Sequence, residues 1–375
     1  HVTGQHFPAA DPFQFDPDFR WFEPIYDMDL ADMKPSKRAS TGWYATYDRL
    51  NLYGTRPDLE TNRADEVLLD SGWGNRYEIG FMLPDKDTGW LFSWIENGVG
   101  EFEMVRKERG NRLNEDELNG TATNPGPPFG WEAIPGISNN LGWNYRFVNE
   151  KTSENLFSFD SYELSKSWRM EPYHYGGILE PMAGFRWFRV RDKNVQQDFI
   201  SSNDPIEIAF PTLITLYGAA AEQMTTNQAW TDNEAITAQM GFRYFKFVDR
   251  FTFATEFRVF AGGNFQSSWS NTHVEATVYD GDADIVQGDE VTRILYSETP
   301  RVYVRNDEFF LGYDVRGEVG YQMTKSITLR GGFQLIDLAR GVWRGGDPAT
   351  ATVPGGDNDQ NLLMVGGTFG VTLNR

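Results

Sequence analysis

The sequence predicts an all-β fold: a transmembrane, antiparallel, up-and-down β-barrel of about ten strands. Three observations carry this. Aromatic residues reach 15% of the 375 residues while hydrophobic residues reach only 40%, a pairing that suits aromatic girdles outside and a polar interior. No run of about 18 apolar residues exists to form a spanning helix, whereas a spanning strand needs only about 9 to 11 residues. Alternating segments recur along the chain, joined by connections that are short and long in turn.

In chain order the strands are read at 42–53, 75–84, 88–97, 155–169, 177–190, 235–247, 251–266, 308–323, 326–341 and 361–374. The second and third are joined by Asp85-Lys86-Asp87, the sixth and seventh by Val248-Asp249-Arg250, and the eighth and ninth by Thr324-Lys325. The fourth and fifth are joined by the short stretch 171–176. The connections 54–74, 98–154, 191–234, 267–307 and 342–360 are long, polar and rich in Gly, Pro, Asp and Asn. Short periplasmic turns and long extracellular loops give this pattern, and an even strand count returns both termini to the periplasm.

The eighth strand gives the clearest face assignment. Phe309, Leu311, Tyr313, Val315, Val319 and Tyr321 share one face, and Asp314, Arg316, Glu318 and Gln322 share the other. The seventh puts Phe251, Phe253, Phe257 and Val259 outward and Glu256, Arg258 and Asn264 inward; the ninth puts Leu329 and Phe333 outward and Arg330 and Gln334 inward. The first and fourth strands alternate less cleanly. The run 206–221 (IEIAFPTLITLYGAAA) is the place where another hairpin would raise the count to twelve. Residues 1–40, with five prolines and no period, read as an extended periplasmic segment that caps the barrel mouth or reaches a neighbour. The start at His1, without Met or an apolar leader, suggests a mature form whose signal peptide was removed.

The inward faces carry Glu78, Glu163, Glu180, Arg186, Arg243, Glu256, Arg258, Asp314, Arg316, Glu318 and Arg330. A ten-stranded barrel is little wider than the eight-stranded kind that side chains fill, which favours ion pairs stapling a closed lumen. The sharper reading makes the same charges the selectivity filter of a narrow pore. Trp43, Tyr53, Trp90, Trp94, Trp168, Trp187 and Tyr321 read as interface girdles, with Trp230, Trp269 and Trp343 left open as a sugar platform.

Asp280, Asp282 and Asp284 space carboxylates as a weak candidate calcium site; Ile285 and Val291 stand where an EF-hand needs Gly and Glu. No other cofactor is indicated. The four histidines, His1, His6, His174 and His273, have no metal-ligand spacing, and no nucleophile is found with its base, so an enzyme is not expected. A formal charge of -20, with no basic face visible, argues against nucleic acid as a partner, and zero cysteines exclude disulfides.

Residues 42–57 (GWYATYDRLNLYGTRP), 168–188 (WRMEPYHYGGILEPMAGFRWF) and 369–375 (FGVTLNR) together resemble a family of outer-membrane β-barrel proteins abundant in planctomycete bacteria and described as porin-like or structural. The resemblance covers most of the strand region. It implies a removed signal peptide, a cell outer-membrane location and a barrel, and it offers no substrate or catalytic residue to carry over. The chain departs from a terminal Phe, ending Leu373-Asn374-Arg375, which leaves its assembly signal open.

The expected function is a structural or porin-like outer-membrane barrel, with passive diffusion of small solutes or ions as the associated activity. Outer-membrane lipids, and copies of the chain in a homo-oligomer or surface array, are the expected partners. The alternative is a surface binding protein or adhesin in which the barrel is an anchor and the long acidic loops bind. A secreted soluble all-β protein is the third reading; it would need a second sheet to cover the apolar face of the eighth strand.

Overall fold

Period-two alternation commits each segment to a strand with one wet and one dry face, and closing the sheet on itself leaves no edge to protect. The computed structural model describes residues 24–32, 35–55, 57, 69–83, 85–96, 103–112, 149–202, 206–210, 212–216, 219–280, 291–345 and 356–374. Its strands are β1 (Gly42–Thr55), β2 (Leu69–Leu83), β3 (Thr88–Glu96), β4 (Glu103–Arg112), β5 (Asn149–Trp168), β6 (Gly177–Ser202) and β7 (Ile206–Phe210). They continue with β8 (Thr212–Leu216), β9 (Ala219–Val248), β10 (Phe251–Asp280), β11 (Val291–Glu298), β12 (Val302–Gln322), β13 (Ile327–Val342) and β14 (Gln360–Asn374). Ten of these, β1, β2, β3, β5, β6, β9, β10, β12, β13 and β14, form a closed antiparallel barrel in which β1 pairs with β14. Each overlaps one of the ten segments read from the sequence.

The register fixes the barrel's dimensions. Starting from Tyr47 on β1, successive Cα partners run through Tyr77, Trp94, Tyr162, Trp187 and Ile236 to Gly263 on β10. The other way round, they run through Val371, Leu329 and Tyr321 to Phe251. The row therefore closes twelve residues out of step, a shear of twelve. At ordinary strand spacings this gives a tilt of about 40° and a backbone radius of about 10 Å. Such a close weave leaves no space for a side chain at Gly366, where an added Cβ would lie 1.9 Å from the Asn51 carbonyl oxygen.

The outward face is apolar and aromatic. Trp90, Phe185, Ile236, Met240, Phe253, Phe309, Phe333 and Phe369 are all exposed. Tyr47, Tyr77, Trp94, Tyr162 and Trp187 form a continuous ladder of rings across five strands, with centroids 5.2 to 5.7 Å apart. On β1 and β2 the band spans about ten residues, from Trp43 to Tyr53 and from Trp73 to Leu83, about 25 Å along the axis at this tilt. Charged and amide side chains then take over the outward positions, with Arg189 bonded to Asp232 at 2.6 Å and Arg191 to Asp160 at 3.1 Å.

Three sequence expectations need correction. The intervals 191–234 and 267–307 are largely strand: β9 and β10 are 30 residues each and run far past the apolar band. There the outward face is polar as well, so the hydropathy alternation fades while backbone pairing continues. Within 98–154, β4 pairs with the first half of β5 above β3, and β11 pairs with the far end of β10 above β12. The hairpin suspected in 206–221 exists as β7–β8, but as a separate two-stranded sheet, so the barrel keeps ten strands. The described part of residues 1–40 is not extended: it forms two short helices, α1 (Asp27–Asp32) and α2 (Pro35–Arg38). Asp29 accepts from the Tyr26 N–H at 3.0 Å, and Pro35 opens α2 with its backbone angle preset; helices this short leave no readable period.

Candidate functional site

The interior is the site, and it is built in layers that can be read along single strands. On β10 the inward residues are Glu256 and Arg258, then Phe260, then Asn264 and Gln266, all buried. On β6 they are Arg186, then Phe188 and Val190, then Asp192 and Asn194. Charge, hydrocarbon and then amides with a second carboxylate thus follow one another from the short-turn end toward the long-connection end.

The ionic layer bridges the lumen. Arg76 on β2 reaches Glu318 on β12 at 2.7 Å, and Arg316 on β12 returns to Glu78 on β2 at 2.7 Å. Arg186 on β6 reaches Asp314 at 3.2 Å, and Arg258 on β10 pairs with Glu163 on β5 and with Glu256. Arg243 holds Glu256 at 3.0 Å, Arg330 pairs with Glu318, and Arg76 also holds Asp48 at 2.7 Å. Six guanidiniums face six carboxylates, so the layer carries no surplus of either sign. Neutral partners complete it: Gln334 accepts from Arg76 at 2.7 Å and donates to Asp314 at 3.1 Å. Burying an ion costs several kcal/mol unless a partner compensates it, which is why the two signs are matched here.

Above it lies a plug of hydrocarbon. Leu50, Leu52, Phe157, Phe159, Phe188, Phe260, Phe310, Ile336, Leu362 and Met364 form one buried cluster. The Arg186 guanidinium lies 4.4 Å from the Phe188 ring centre and 5.1 Å from that of Phe260, joining the two layers.

The mouth at the long-connection end is closed by the chain leaving β13. Gly341 turns it with a φ of +84°, and Trp343 and Arg344 fold inward to full burial. Asn233 brackets this segment, accepting from the Trp343 N–H at 2.7 Å and donating to the Trp343 carbonyl at 2.9 Å. Asn264 and Gln266 donate to the Gly341 carbonyl at 2.6 and 2.9 Å. Arg344 pairs with Asp192 at 3.1 Å, with side-chain exposures of 1% and 0%.

The short-turn end is covered by the N-terminal segment. Pro24 bridges to Thr324, Arg250 donates to the Ile25 carbonyl at 2.9 Å, and Arg169 donates to the Ser40 carbonyl at 2.8 Å while pairing with Glu180 at 2.6 Å. Arg38 donates to the Asp249 carbonyl and lies over Phe247 at 4.8 Å. Burial draws its guanidinium below its ordinary pKa, opposed by the Asp249 charge. Between this cap and the ionic layer is a cavity of about 220 Å³, lined in part by Ile25, Ala39, Tyr44, Phe247, Arg243 and Arg330. Its size and polarity suit several waters.

All eleven lumen charges named from the sequence point inward. Ten of them join the ionic layer, and Glu180 sits below it with Arg169. Sequence reasoning missed Asp48, Arg76, Arg169 and the mouth pair Asp192–Arg344. Arg76 was within reach, two residues from Glu78 on the same face. Asp48 was obscured because its face continues into Leu50 and Leu52, which line the apolar plug and mix the pattern on β1. Trp343 is buried in the segment that closes the mouth, whereas Trp230 and Trp269 stand on the outward face. His174 lies in the β5–β6 turn and His273 on β10 at the opposite end. Of the aspartates at 280, 282 and 284, the side chain of Asp280 and residues Asp282 and Asp284 lie outside the described residues.

No family model matches the chain, and no curated protein matches it. Among solved structures, the chain is similar to the P. putida toluene transporter TodX, at 8% identity over 91% of this chain and 92% of that one, with a TM-score of 0.20. The CymD monoaromatic hydrocarbon channel matches at 5% identity over 94% of each chain, with a TM-score of 0.23. Pseudomonas putida OprB matches at 10% identity over 88% of this chain and 94% of that one, with a TM-score of 0.13. At such scores these likenesses carry no argument about architecture or cargo; the ten-stranded ring stands on the chain's own register.

Proposed function

We propose that the chain is a structural, porin-like barrel of the outer membrane of a Gram-negative-type bacterium, of the planctomycete kind its sequence resembles, and that its lumen is shut in this state. The membrane reading is supported by the outward wall, where large apolar and aromatic side chains stay exposed over about 25 Å of height, matching the lipid-facing band of such barrels. Water would not tolerate so much contiguous exposed hydrocarbon.

The observation that carries the closed reading is the pair of stacked layers, ion pairs that cross the lumen and a buried aromatic and aliphatic plug above them. Passive diffusion would require both layers and the Trp343–Arg344 segment to part. The balanced charge of the ionic layer also removes the surplus of one sign by which a charged ring selects ions.

The test is conductance in a planar bilayer, with insertion verified independently by resistance to protease. Inserted protein should stay silent at high salt. Ohmic steps from the unaltered chain would refute the closed reading and make the inward charges a filter.

A further inference from the structure

Beyond the apolar band, one rung of the outward wall sets Lys193, Trp230, Trp269 and Tyr303 side by side: they are successive register partners across β6, β9, β10 and β12. The two indoles stack at 5.8 Å and 18°. Lys193 Nζ lies 5.0 Å from the Trp230 ring centre, the Arg301 guanidinium 4.5 Å from that of Trp269, and Arg305 5.5 Å from that of Tyr303. Nearer the band, Arg189 and Arg191 are each matched by an aspartate. Among the described residues no carboxylate forms an ion pair with Lys193, Arg301 or Arg305, in a chain whose formal charge is -20.

We propose that this platform binds the phosphorylated sugar headgroup of an outer-leaflet glycolipid. Flat indole and phenol rings offer faces to sugar rings, and guanidinium and ammonium groups offer charge-assisted hydrogen bonds to phosphate. Position decides the source. The platform faces sideways over the adjoining membrane, not along the barrel axis. Trp230 is six residues past Ile236 and Trp269 four past Phe265, which places the rings about 10 to 15 Å above the band's edge at this tilt. Phospholipid headgroups occupy only about 5 to 8 Å on each side of the hydrocarbon, so an extended glycan reaches this height and a phospholipid does not.

The inference rests on the membrane reading above, and its test keeps the two apart. The full chain, folded in detergent and checked for insertion into vesicles, is titrated with phosphorylated lipopolysaccharide, with the same glycolipid after phosphatase treatment, and with phosphatidylglycerol vesicles. The phosphorylated glycolipid should bind at least about tenfold tighter than either comparison. A Lys193→Gln, Arg301→Gln, Arg305→Gln variant should lose that preference. Equal binding of the phosphorylated and dephosphorylated forms, or of phosphatidylglycerol, overturns the platform whether or not the variant folds, and so does an unchanged preference in the folded variant. Failure of the unaltered chain to enter lipid overturns the membrane reading as well.

Discussion

Replacing Arg76 with Met is the sharpest test of the ionic layer. Arg76 is fully buried and binds Asp48 Oδ2 through Nε at 3.1 Å and Nη2 at 2.7 Å, Glu318 at 2.7 Å and Gln334 at 2.7 Å. Removing the guanidinium leaves Glu318 still paired with Arg330, but takes from Asp48 its only ion-pair partner among the described residues. Asp48 is 1% exposed, so its charge would be left uncompensated inside the barrel. Breaking a buried pair from one side costs about 3 to 5 kcal/mol, mostly the penalty of the orphaned charge. That origin makes a further demand: adding Asp48→Asn to the Arg76→Met background should restore about 2 kcal/mol or more, because the stranded charge is gone. The assay is urea unfolding of protein folded into lipid vesicles, comparing midpoints at a common slope. A loss below about 1 kcal/mol for Arg76→Met, or a double variant less stable than the single one, would refute the argument that compensation of buried charge holds this layer together.

Val315 faces outward within the apolar band, and Val315→Arg should cost about 2 to 4 kcal/mol in lipid-vesicle unfolding; an unchanged midpoint would remove β12 from the lipid-facing wall. Gly341→Ala forces a side chain onto a φ of +84°, with its Cβ 2.2 Å from the Phe309 carbonyl oxygen, and should destabilise the mouth by about 1 to 3 kcal/mol in the same assay. Arg344→Ala strands buried Asp192 and should speed hydrogen exchange of the Trp343 amide, now held by Asn233 at 2.7 Å; protection equal to the unaltered protein would show that the salt bridge does not pin the mouth segment. Arg76→Ala with Arg316→Ala clears two guanidiniums that cross the lumen, and the folded fraction should remain non-conducting unless the apolar plug is opened too. Steps from that variant alone would show that the ionic layer is the sole barrier.

What the sequence determined by itself is what alternation encodes. Whether Arg316 and Glu318 share a face with Asp314, and whether Phe309 opposes them, depends only on a residue's parity within its own strand, so ten strands and eleven inward charges were legible without any long-range information. Parity says nothing about what lies across the lumen. That Arg76 meets Glu318, 242 positions away, follows from a shear of twelve, which is the sum of every register around the ring and is written in no single segment. The tertiary structure also decided where strands stop. β9 and β10 continue past the apolar band because backbone pairing needs a partner strand, not a hydrophobic face. It decided as well that a polar connection carrying Trp343 and Arg344 turns inward, since only the assembled mouth supplies Asn233, Asn264, Gln266 and Asp192 to satisfy its buried polar groups.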